Sequence, residues 1–471
     1  MSEWSLDLPL LRLSDSDVWT LKDACEGVQI IGGTGSGKTS GSGRAISERF
    51  LKSGFGGLIL TVKSEDRDDW IQWIEDAGRS EHLFIIEDGG DEKFNFLDYE
   101  MNRPKGAHTE NIVTLLSHVI EIAAGKPIDG GNDPFWAQAA KQLLRNTIDL
   151  MRISGETLSI PAIYKAITSA PPTRELLKNK EWLDKSYCFQ LLRRANQAAK
   201  ENKDLADDFE MTENYFLEEF LNYADKTQSS IIGMFTSSID PFLRGTLRQL
   251  FCTETTCKPD ITLKGGIILI DLNVKDYTHI GRVAQGLYKL MWQQMIERRN
   301  IKENDRPVFI WSDENQFFLN SFDISFQQTA RSKRACSVYL TQNIANYHVA
   351  LGVGDKGKAM ASSILGNLST KIFHANSDPD TNEWAAKVFG KEWGFKMGVT
   401  SGSSDNQGGG SSSQGASMNQ QLNNVIEPSE FTTLLKGGAE NNFIVEGFIH
   451  QAGRTWNATD KNYLKTNFSQ K

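Results

Sequence analysis

The stretch GGTGSGKTS, residues Gly32–Ser40, decides the fold class of this chain. It satisfies G-x-x-x-x-G-K-[ST], the pattern of the loop that wraps the phosphates of a nucleoside triphosphate. Its glycines adopt backbone angles that other residues reach only at a cost, so that successive N–H groups can face one anion. The apolar stretch Val28–Ile31 precedes the loop as a buried strand would, and Arg44–Phe50 follows it with a composition that suits a helix. The sequence therefore predicts a phosphate-binding loop between a strand and a helix.

The pattern also predicts which residues bind the nucleotide. Lys38 would neutralise the β- and γ-phosphates, and the hydroxyl of Thr39 would coordinate Mg²⁺. The expected cofactors are thus ATP and Mg²⁺. The residues that we expect to contact the nucleotide are Gly33, Thr34, Gly35, Ser36, Gly37, Lys38, Thr39 and Ser40.

A nucleotide-hydrolysing protein of this kind also needs a strand that ends in a carboxylate. Two apolar segments compete for this role, Gly265–Asp271 and Pro307–Glu314. Only the second ends in two adjacent carboxylates. We assign Asp313 to the metal, and we assign Glu314 to orienting and deprotonating the attacking water. We interpret Asp271 as the end of a buried sheet strand.

The segment after the acidic pair carries further candidates for catalysis. Residues Phe322–Ala335 are predicted to form a helix, and Ser337–Thr341 a strand that is followed by Gln342. An arginine that reaches the γ-phosphate of a neighbouring subunit can stabilise the transition state. We assign this role to Arg331, with Arg334 as the alternative, although both could instead belong to the solvated end of a helix. The amide of Gln342 could detect the γ-phosphate.

Taken in order, these segments resemble the TraG-type coupling proteins of type IV secretion and conjugation, which belong with the FtsK/HerA group of ring-shaped DNA motors. The blocks that carry the resemblance are GGTGSGKTS, GGIILIDLNV, PVFIWSDENQFF, TARSKRACSVYLTQN and LSTKIFHANSDPDTNEWAAKVFG. Phe94–Asp98 and Asp133–Trp136 extend it over most of the chain. The phosphate loop alone is unspecific. Its combination with the acidic pair, Arg331, Gln342 and Asp378–Thr381 is much more specific.

The resemblance implies an α/β fold with a RecA-like P-loop NTPase core, a mostly parallel sheet and an inserted all-α domain. It implies an ATP-hydrolysing ring motor, a homo-hexamer that couples and translocates DNA or DNA attached to protein. The implied partners are DNA or a protein cargo, together with proteins of a secretion channel or a membrane anchor.

The sequence departs from that family in two respects. Coupling proteins usually carry transmembrane helices before the motor, whereas the residues before Val28 include many charges. No run of about 20 mostly apolar residues, the length that spans a bilayer, occurs in the sequence. We therefore expect a cytoplasmic protein that is peripheral at the inner face of the membrane through partners. The second departure is Thr61-Val62-Lys63, where the family tends to place an aspartate and a proline before the lysine.

The long separation of Lys38 from Asp313 indicates an insertion in the motor domain. Between about residues 102 and 225, apolar residues recur at helical spacing, which is typical of packed helices. We expect residues 1–100 to form the N-terminal part of the motor domain and 101–225 the inserted all-α domain. Residues 226–471 would form the remainder of the motor. Residues 401–420 are rich in Gly, Ser, Asn and Gln, so we expect a flexible loop there.

Charge and composition limit the alternatives. The net charge of −9 argues against a protein that coats DNA, and residues 1–100 hold twenty acidic and ten basic side chains. The five cysteines lack a zinc-binding spacing and are expected to be free thiols. Two hypotheses remain, an ATP-driven DNA translocase and a nucleotide-switched interaction protein or protein-cargo ATPase that does not pump DNA. The intact acidic pair favours turnover.

Overall fold

The computed structural model of this chain describes residues 4–105, 108–124, 134–320, 322–352, 354–404 and 411–471. In chain order the strands are β1 (Pro9–Arg12), β2 (Val18–Thr20), β3 (Val28–Ile31), β4 (Gly56–Leu60), β5 (Leu83–Glu87), β6 (Ile267–Asp271), β7 (Val308–Ser312), β8 (Ala335–Thr341), β9 (Thr370–Phe373), β10 (Lys391–Ser404), β11 (Ser411–Asn424), β12 (Ile444–Gln451) and β13 (Tyr463–Ser469). The α-helices are α1 (Leu21–Cys25), α2 (Arg44–Lys52), α3 (Ser64–Asp76), α4 (Phe96–Met101), α5 (Thr109–Ala124), α6 (Pro134–Ile153), α7 (Ile160–Thr168), α8 (Lys180–Lys185), α9 (Tyr187–Glu201), α10 (Ala206–Asn214), α11 (Asp225–Ile239), α12 (Gly245–Phe251), α13 (Val274–Arg298), α14 (Phe322–Ala330), α15 (Ile344–Ala350), α16 (Asp355–Asn367) and α17 (Pro379–Phe389).

These elements form two compact units. Unit 1 comprises Met1–Gly54 and Trp311–Lys471, and unit 2 comprises Phe55–Ile310. The division differs from the expected boundaries at residues 100 and 225, because strands β4, β5 and β6 belong to the same unit as the long helical segment.

Unit 1 is built on five strands in the order β13-β12-β9-β3-β8. Strand β3 lies between β9 and β8 and pairs in parallel with both. Strand β12 pairs antiparallel with β9 and with β13. Every residue of β3 and β8 is buried, as expected for central strands of a parallel sheet. Because the carboxyl ends of β3, β8 and β9 lie at one edge, the segments that follow these strands meet there.

A cluster of aromatic rings packs in the core of unit 1. The ring centroid of Phe373 lies 5.4 Å from that of Phe389 and 5.8 Å from that of Phe431. Phe448 lies 5.5 Å from Phe431. All four rings are buried, and burying each stabilises the fold by about 1.5–3 kcal/mol. The cluster joins α17 to β9 and β12, and so fixes the strand ends beside the phosphate loop.

In the stretch 401–420, where we expect a flexible loop, the residues that the structure describes belong to two paired strands. Strands β10 and β11 pair antiparallel along their whole length and include residues 401–404 and 411–420, while 405–410 lie outside the described residues. Trp393 and Phe395 alternate with other residues in β10, a period of two that is typical of a strand. The Gly- and Ser-rich composition further along obscured this pattern.

Unit 2 combines three parallel strands, in the order β4-β6-β5, with a long helical segment. The described residues between Thr109 and Phe251 include no strand, so the helical segment extends beyond the expected end at residue 225. Among the apolar residues at helical spacing, Leu116 on α5 and Leu143 on α6 are buried. None of the helices in the described ranges has the length and apolar character needed to cross a membrane.

A buried amide in unit 2 holds the turn after β4, where the sequence departs from the family. The side-chain Oε1 of Gln285 accepts the N–H of Thr61 at 2.7 Å. Its Nε2 donates to the carbonyl oxygens of Thr61 and Leu272 at 2.8 and 2.9 Å. Gln285 is fully buried, so these three backbone groups depend on one side chain for their hydrogen bonds.

Replacing Gln285 with leucine should destabilise the protein, because one N–H and two carbonyl groups would be left buried without partners. Each unsatisfied group costs about 1–3 kcal/mol, so we expect the free energy of unfolding to fall by at least about 2 kcal/mol. Urea denaturation followed by circular dichroism measures this change. The control is Gln294→Leu on the same helix, where the amide is only partly buried, and it should change stability by less than about 0.5 kcal/mol. Equal effects of the two substitutions would contradict the role of Gln285.

Candidate functional site

The loop Gly32–Ser40 begins where β3 ends and closes into a helical turn. Gly35 has a φ of +69° and Gly37 a φ of +78°, left-handed conformations that favour glycine. A Cβ atom on Gly37 would lie 2.5 Å from Cγ2 of Val445, so packing also excludes a side chain there. The hydroxyl of Ser36 is buried and has no hydrogen-bond partner among the described residues. A buried hydroxyl needs a hydrogen-bond partner, and an oxygen of a bound phosphate could accept its hydrogen bond.

Thr39 begins a π-helical turn, Thr39–Gly43, that continues into α2. The Thr39 hydroxyl donates to Oδ2 of Asp313 at 2.6 Å, and Oδ1 of Asp313 accepts the N–H of Glu314 at 2.8 Å. The described residues contain no group of three or more His, Cys, Asp or Glu side chains that could hold a metal ion. Thr39 and Asp313 are the residues that would hold Mg²⁺, together with phosphate and water oxygens, as is usual for this ion.

Glu314 is the most constrained residue of the site. Its side chain is 7% exposed, and its φ of +47° is left-handed, which costs a non-glycine residue roughly 1–2 kcal/mol. The Nζ of Lys38 lies 3.2 Å from Oε1, and Nε2 of Gln342 donates to the same oxygen at 3.0 Å. Nε2 of Gln316 donates to Oε2 at 2.8 Å. Three donors therefore hold the carboxylate in this conformation.

The same contacts set the charge of Glu314. Burial alone would raise the pKa of its carboxyl group, but the charge of Lys38 and the hydrogen bonds from Gln316 and Gln342 outweigh burial and lower the pKa. Glu314 is therefore ionised at neutral pH and accepts hydrogen bonds with both oxygens. A buried charge is tolerated in a protein when it is paired and hydrogen-bonded in this way.

Behind the loop, a buried histidine supports the first helical turn. Nε2 of His374 lies 2.7 Å from Oγ of Ser42, and Nδ1 lies 2.8 Å from the carbonyl oxygen of Glu446. A carbonyl oxygen can only accept, so Nδ1 carries the proton and Nε2 accepts the hydroxyl of Ser42. Burial lowers the pKa of His374 to about 4, which keeps the ring neutral at physiological pH. The histidine thus connects the loop to β12.

The segment after β13 provides a second support. Nε2 of Gln470 donates to Oγ of Ser40 at 2.7 Å, and the carbonyl oxygen of Gln470 accepts from Arg44 at 3.0 Å. Oε1 of Gln470 accepts the N–H of Gly438 at 2.8 Å. The hydroxyl of Ser40, predicted to contact the nucleotide, therefore has a partner within the protein.

A cavity of about 280 Å³ opens beside the loop. Its lining includes Gly33, Thr34, Gln342, Asn376, Asp378 and Lys436. Nδ2 of Asn376 donates to the carbonyl oxygen of Gln342 at 2.8 Å, and its Oδ1 accepts the N–H of Asp378 at 2.9 Å. One wall of the cavity is therefore hydrogen-bonded into a fixed arrangement, and Lys436 adds a cation to the lining.

The two predicted arginines lie outside this cluster. Nη1 of Arg331 lies 3.3 Å from Oε1 of Glu26, and the Arg331 side chain is 60% exposed. Arg334 has a φ of +50° and donates to the carbonyl oxygen of Trp4. The predicted helix is too long, because α14 ends before Arg331. Lys38, Thr39, Asp313, Glu314 and Gln342 are brought together, whereas the role of Arg331 or Arg334 towards a neighbouring subunit stays a prediction.

Sequence reasoning missed several contributors to the site. A signal was available for His374 and Asn376, because both follow a strand that pairs with β3 and so lie at its carboxyl edge. Nothing local in the sequence indicates Lys436 or Gln470. Asp271, the rejected competitor for the catalytic carboxylate, lies in unit 2, where its Oδ2 is 2.8 Å from Nε of Arg67.

Comparison with known proteins identifies a family and similar folds. The chain matches the family model described as type IV secretory system conjugative DNA transfer over residues 15–439, whereas no curated protein matches it. Its structure is similar to the bacterial conjugative coupling protein TrwBdeltaN70 in an unbound monoclinic form, with a TM-score of 0.61, 14% identity and coverage of 98% of this chain and 90% of that chain. It is also similar to the plasmid coupling protein TrwB in complex with the GTP analogue GDPNP, with a TM-score of 0.59, 14% identity and coverage of 98% of this chain and 91% of that chain. For TrwB in complex with ADP and Mg²⁺ the TM-score is 0.54, the identity 13%, and the coverage 98% of this chain and 90% of that chain. The predicted fold class is therefore confirmed.

The buried His374 should make stability depend on pH. Its pKa is lowered to about 4 in the folded protein and lies near 6.5 in the unfolded chain, so only the unfolded chain takes up this proton between these values. This contribution to stability is present above pH 6.5 and is lost as the pH falls towards 4. In His374→Gln, which can still donate and accept, the slope of unfolding free energy against pH in this window should fall by up to about 1.4 kcal/mol per pH unit.

Chemical denaturation at a series of pH values measures that slope. The control is His82→Gln, because the side chain of His82 is 40% exposed. An unchanged slope in His374→Gln would contradict the assignment of a buried neutral ring.

Proposed function

Because the chain belongs to the type IV secretory system conjugative DNA transfer family, we propose that it is an ATP-hydrolysing coupling motor. In this proposal it assembles as a homo-hexameric ring and translocates DNA or DNA attached to protein. ATP and Mg²⁺ are its cofactors, which is supported by the structurally similar TrwB in complex with GDPNP and with ADP and Mg²⁺.

The observation that carries the proposal is the hydrogen-bonded cluster around Glu314. A protein that only switches between nucleotide states needs to bind the nucleotide, but it can dispense with a carboxylate that activates water. In this chain such a carboxylate follows the metal-binding candidate Asp313 directly, and three donors hold its two oxygens. This arrangement favours turnover over the alternative of a nucleotide-switched interaction protein.

The proposed chemistry divides the work among the residues of the loop and the acidic pair. ATP with Mg²⁺ supplies the transferable phosphoryl group and neutralises part of its charge. Thr39 and Asp313 would hold the metal, while Glu314 would orient the attacking water and accept its proton. Lys38 can serve the phosphates and Glu314 together, because an ammonium group has three donors.

Gln316 and Gln342 act as positioning residues in this proposal. They donate to different oxygens of Glu314 and so fix the plane of its carboxylate. The hydroxyl of Thr341 donates to Oε1 of Gln316 at 3.0 Å, which assigns the other end of that amide, Nε2, as the donor to Glu314. The water that Glu314 orients therefore meets a carboxylate whose direction is set before the nucleotide binds.

The remaining parts of the proposal concern assembly and location. The exposed Arg331, or Arg334, would reach the γ-phosphate of a neighbouring subunit. The partners would be DNA or a protein cargo, which the inserted helical domain would contact, and proteins of a secretion channel or membrane anchor. Through these proteins the motor would act at the cytoplasmic face of the membrane.

Substitutions at the site separate hydrolysis from binding. Lys38→Ala should abolish hydrolysis and weaken nucleotide binding, because the cation of the loop is lost. Glu314→Gln should retain binding and lower turnover at least about 100-fold, since its shape is kept while the proton acceptor is lost. Phosphate release, with and without single- and double-stranded DNA, and binding of a fluorescent ATP analogue measure both effects.

Asp271→Asn is the matched control, because it also neutralises a carboxylate at the end of a strand. It should hydrolyse ATP like the wild type. Near-normal turnover in Glu314→Gln together with loss in Asp271→Asn would reverse the assignment of the two strands. Turnover that DNA does not change would favour the nucleotide-switched alternative.

Hydrolysis should also depend on assembly. Neither Arg331→Ala nor Lys38→Ala should hydrolyse ATP alone, but mixing them should restore part of the activity, because each subunit supplies what its neighbour lacks. Titrating one variant into the other at constant total protein measures this complementation. A rate per subunit that is independent of concentration in a strictly monomeric protein would contradict the ring.

A further inference from the structure

The helical segment of unit 2 contains an open groove of about 850 Å³, well away in sequence from the residues of the nucleotide site. Helix α7 contributes Tyr164 and Lys165 to its lining, and helix α11 contributes Thr236. The short segment between α11 and α12 contributes Leu243 and Arg244, and α12 contributes Arg248. Three cations, an aromatic ring, a hydroxyl and one carboxylate, that of Asp240, therefore line one concave surface.

Arg248 differs from the other arginines of the helical segment around this groove. Seven of the eight arginines between residues 101 and 264 form ion pairs with carboxylates, namely Arg103, Arg145, Arg152, Arg174, Arg193, Arg194 and Arg244. Arg248, the eighth, forms none with the residues that the structure describes, and neither does the neighbouring Lys165. Both side chains are exposed. The groove thus presents cationic charge that the fold does not use.

The third cation of the groove is only weakly engaged. Nη2 of Arg244 lies 2.6 Å from Oδ1 of Asp240, but their side chains are 77% and 53% exposed. Exposed pairs of this kind contribute little to stability, so an anion could compete for Arg244 at small cost. Tyr164 is half-buried beside these cations and presents a flat apolar surface with a polar end.

We propose that this groove binds a single strand of DNA, with Lys165, Arg244 and Arg248 on its phosphates and Tyr164 against a base. The inference rests on the proposed function and names the surface that would grip the substrate. Cations that follow the backbone, together with an aromatic ring on which a base stacks, are the combination by which proteins hold single strands. A duplex keeps its bases stacked on one another and would leave Tyr164 unused.

The test compares two double variants of the full-length protein with equal loss of charge. The groove variant is Lys165→Ala with Arg248→Ala, and the control is Lys185→Ala with Arg193→Ala, two exposed cations of the same segment outside the groove. Binding of a labelled single-stranded oligonucleotide of about 20 nucleotides is followed by fluorescence anisotropy over a range of salt concentrations. The groove variant should bind about 10-fold more weakly, and the slope of log K against log salt should fall by about 1.4. The control should bind like the wild type.

The aromatic contribution is tested separately at Tyr164. Tyr164→Ala should weaken binding about 5- to 10-fold with little change in the salt slope, whereas Tyr164→Phe, which still stacks, should bind like the wild type. Turnover of ATP without DNA should be unchanged in all four variants, because none of these residues belongs to the nucleotide site.

The outcomes distinguish the groove from the proposed function. If the wild type binds the oligonucleotide and DNA stimulates its hydrolysis, but the groove and control variants bind equally, the groove proposal alone is wrong. A wild type that neither binds DNA nor responds to it would refute both. In a further outcome, the groove variant loses binding to polyglutamate and keeps binding to the oligonucleotide. That result would also overturn the proposal and would identify an acidic protein as the ligand.

Discussion

The ion pair between Lys38 and Glu314 is the interaction on which the rest of the site depends. A buried carboxylate is costly unless it is paired and its oxygens are hydrogen-bonded, and here Lys38, Gln316 and Gln342 meet that requirement. Lys38 follows β3, Glu314 follows β7, and Gln342 follows β8, so the three strand ends must lie at one edge. The contacts around Glu314 can therefore form only in a sheet that brings the ends of β3, β7 and β8 together.

A second set of contacts supports the loop from behind. His374 and Gln470 bind the hydroxyls of Ser42 and Ser40, on the turn that follows Lys38. Neither residue touches the carboxylate cluster, and neither carries charge at neutral pH in the folded protein. They maintain the shape of the loop, while the charged residues are left to bind phosphate and metal. The loop is therefore held in shape by uncharged side chains, which do not compete with phosphate for its N–H groups.

The sequence allowed prediction of those parts of the protein whose functional residues are close together along the chain. The residues of the strand–loop–helix around Lys38 follow one another at a recognisable spacing, and Asp313 and Glu314 are adjacent. The structure contains both features as expected. Contacts between distant segments have no such spacing, so the support from Gln470 could not be predicted. Composition did not indicate that residues 401–404 pair with 411–414, because glycine and serine also occur in a paired ribbon when the backbone supplies the hydrogen bonds.

The position of β3 has a consequence for how the protein is made. Its partners β8 and β9 leave the ribosome about 300 residues later, which at ordinary rates of synthesis is a delay of roughly 15 to 60 s. Unit 2 is continuous in sequence and can fold in that interval, but the glycine loop after β3 has no neighbouring strands to hold it. Another support of the loop, Gln470, is synthesised about 100 residues after β9. A nascent chain that lacks β8, β9 and the segment around Gln470 therefore lacks the contacts that hold the glycine loop.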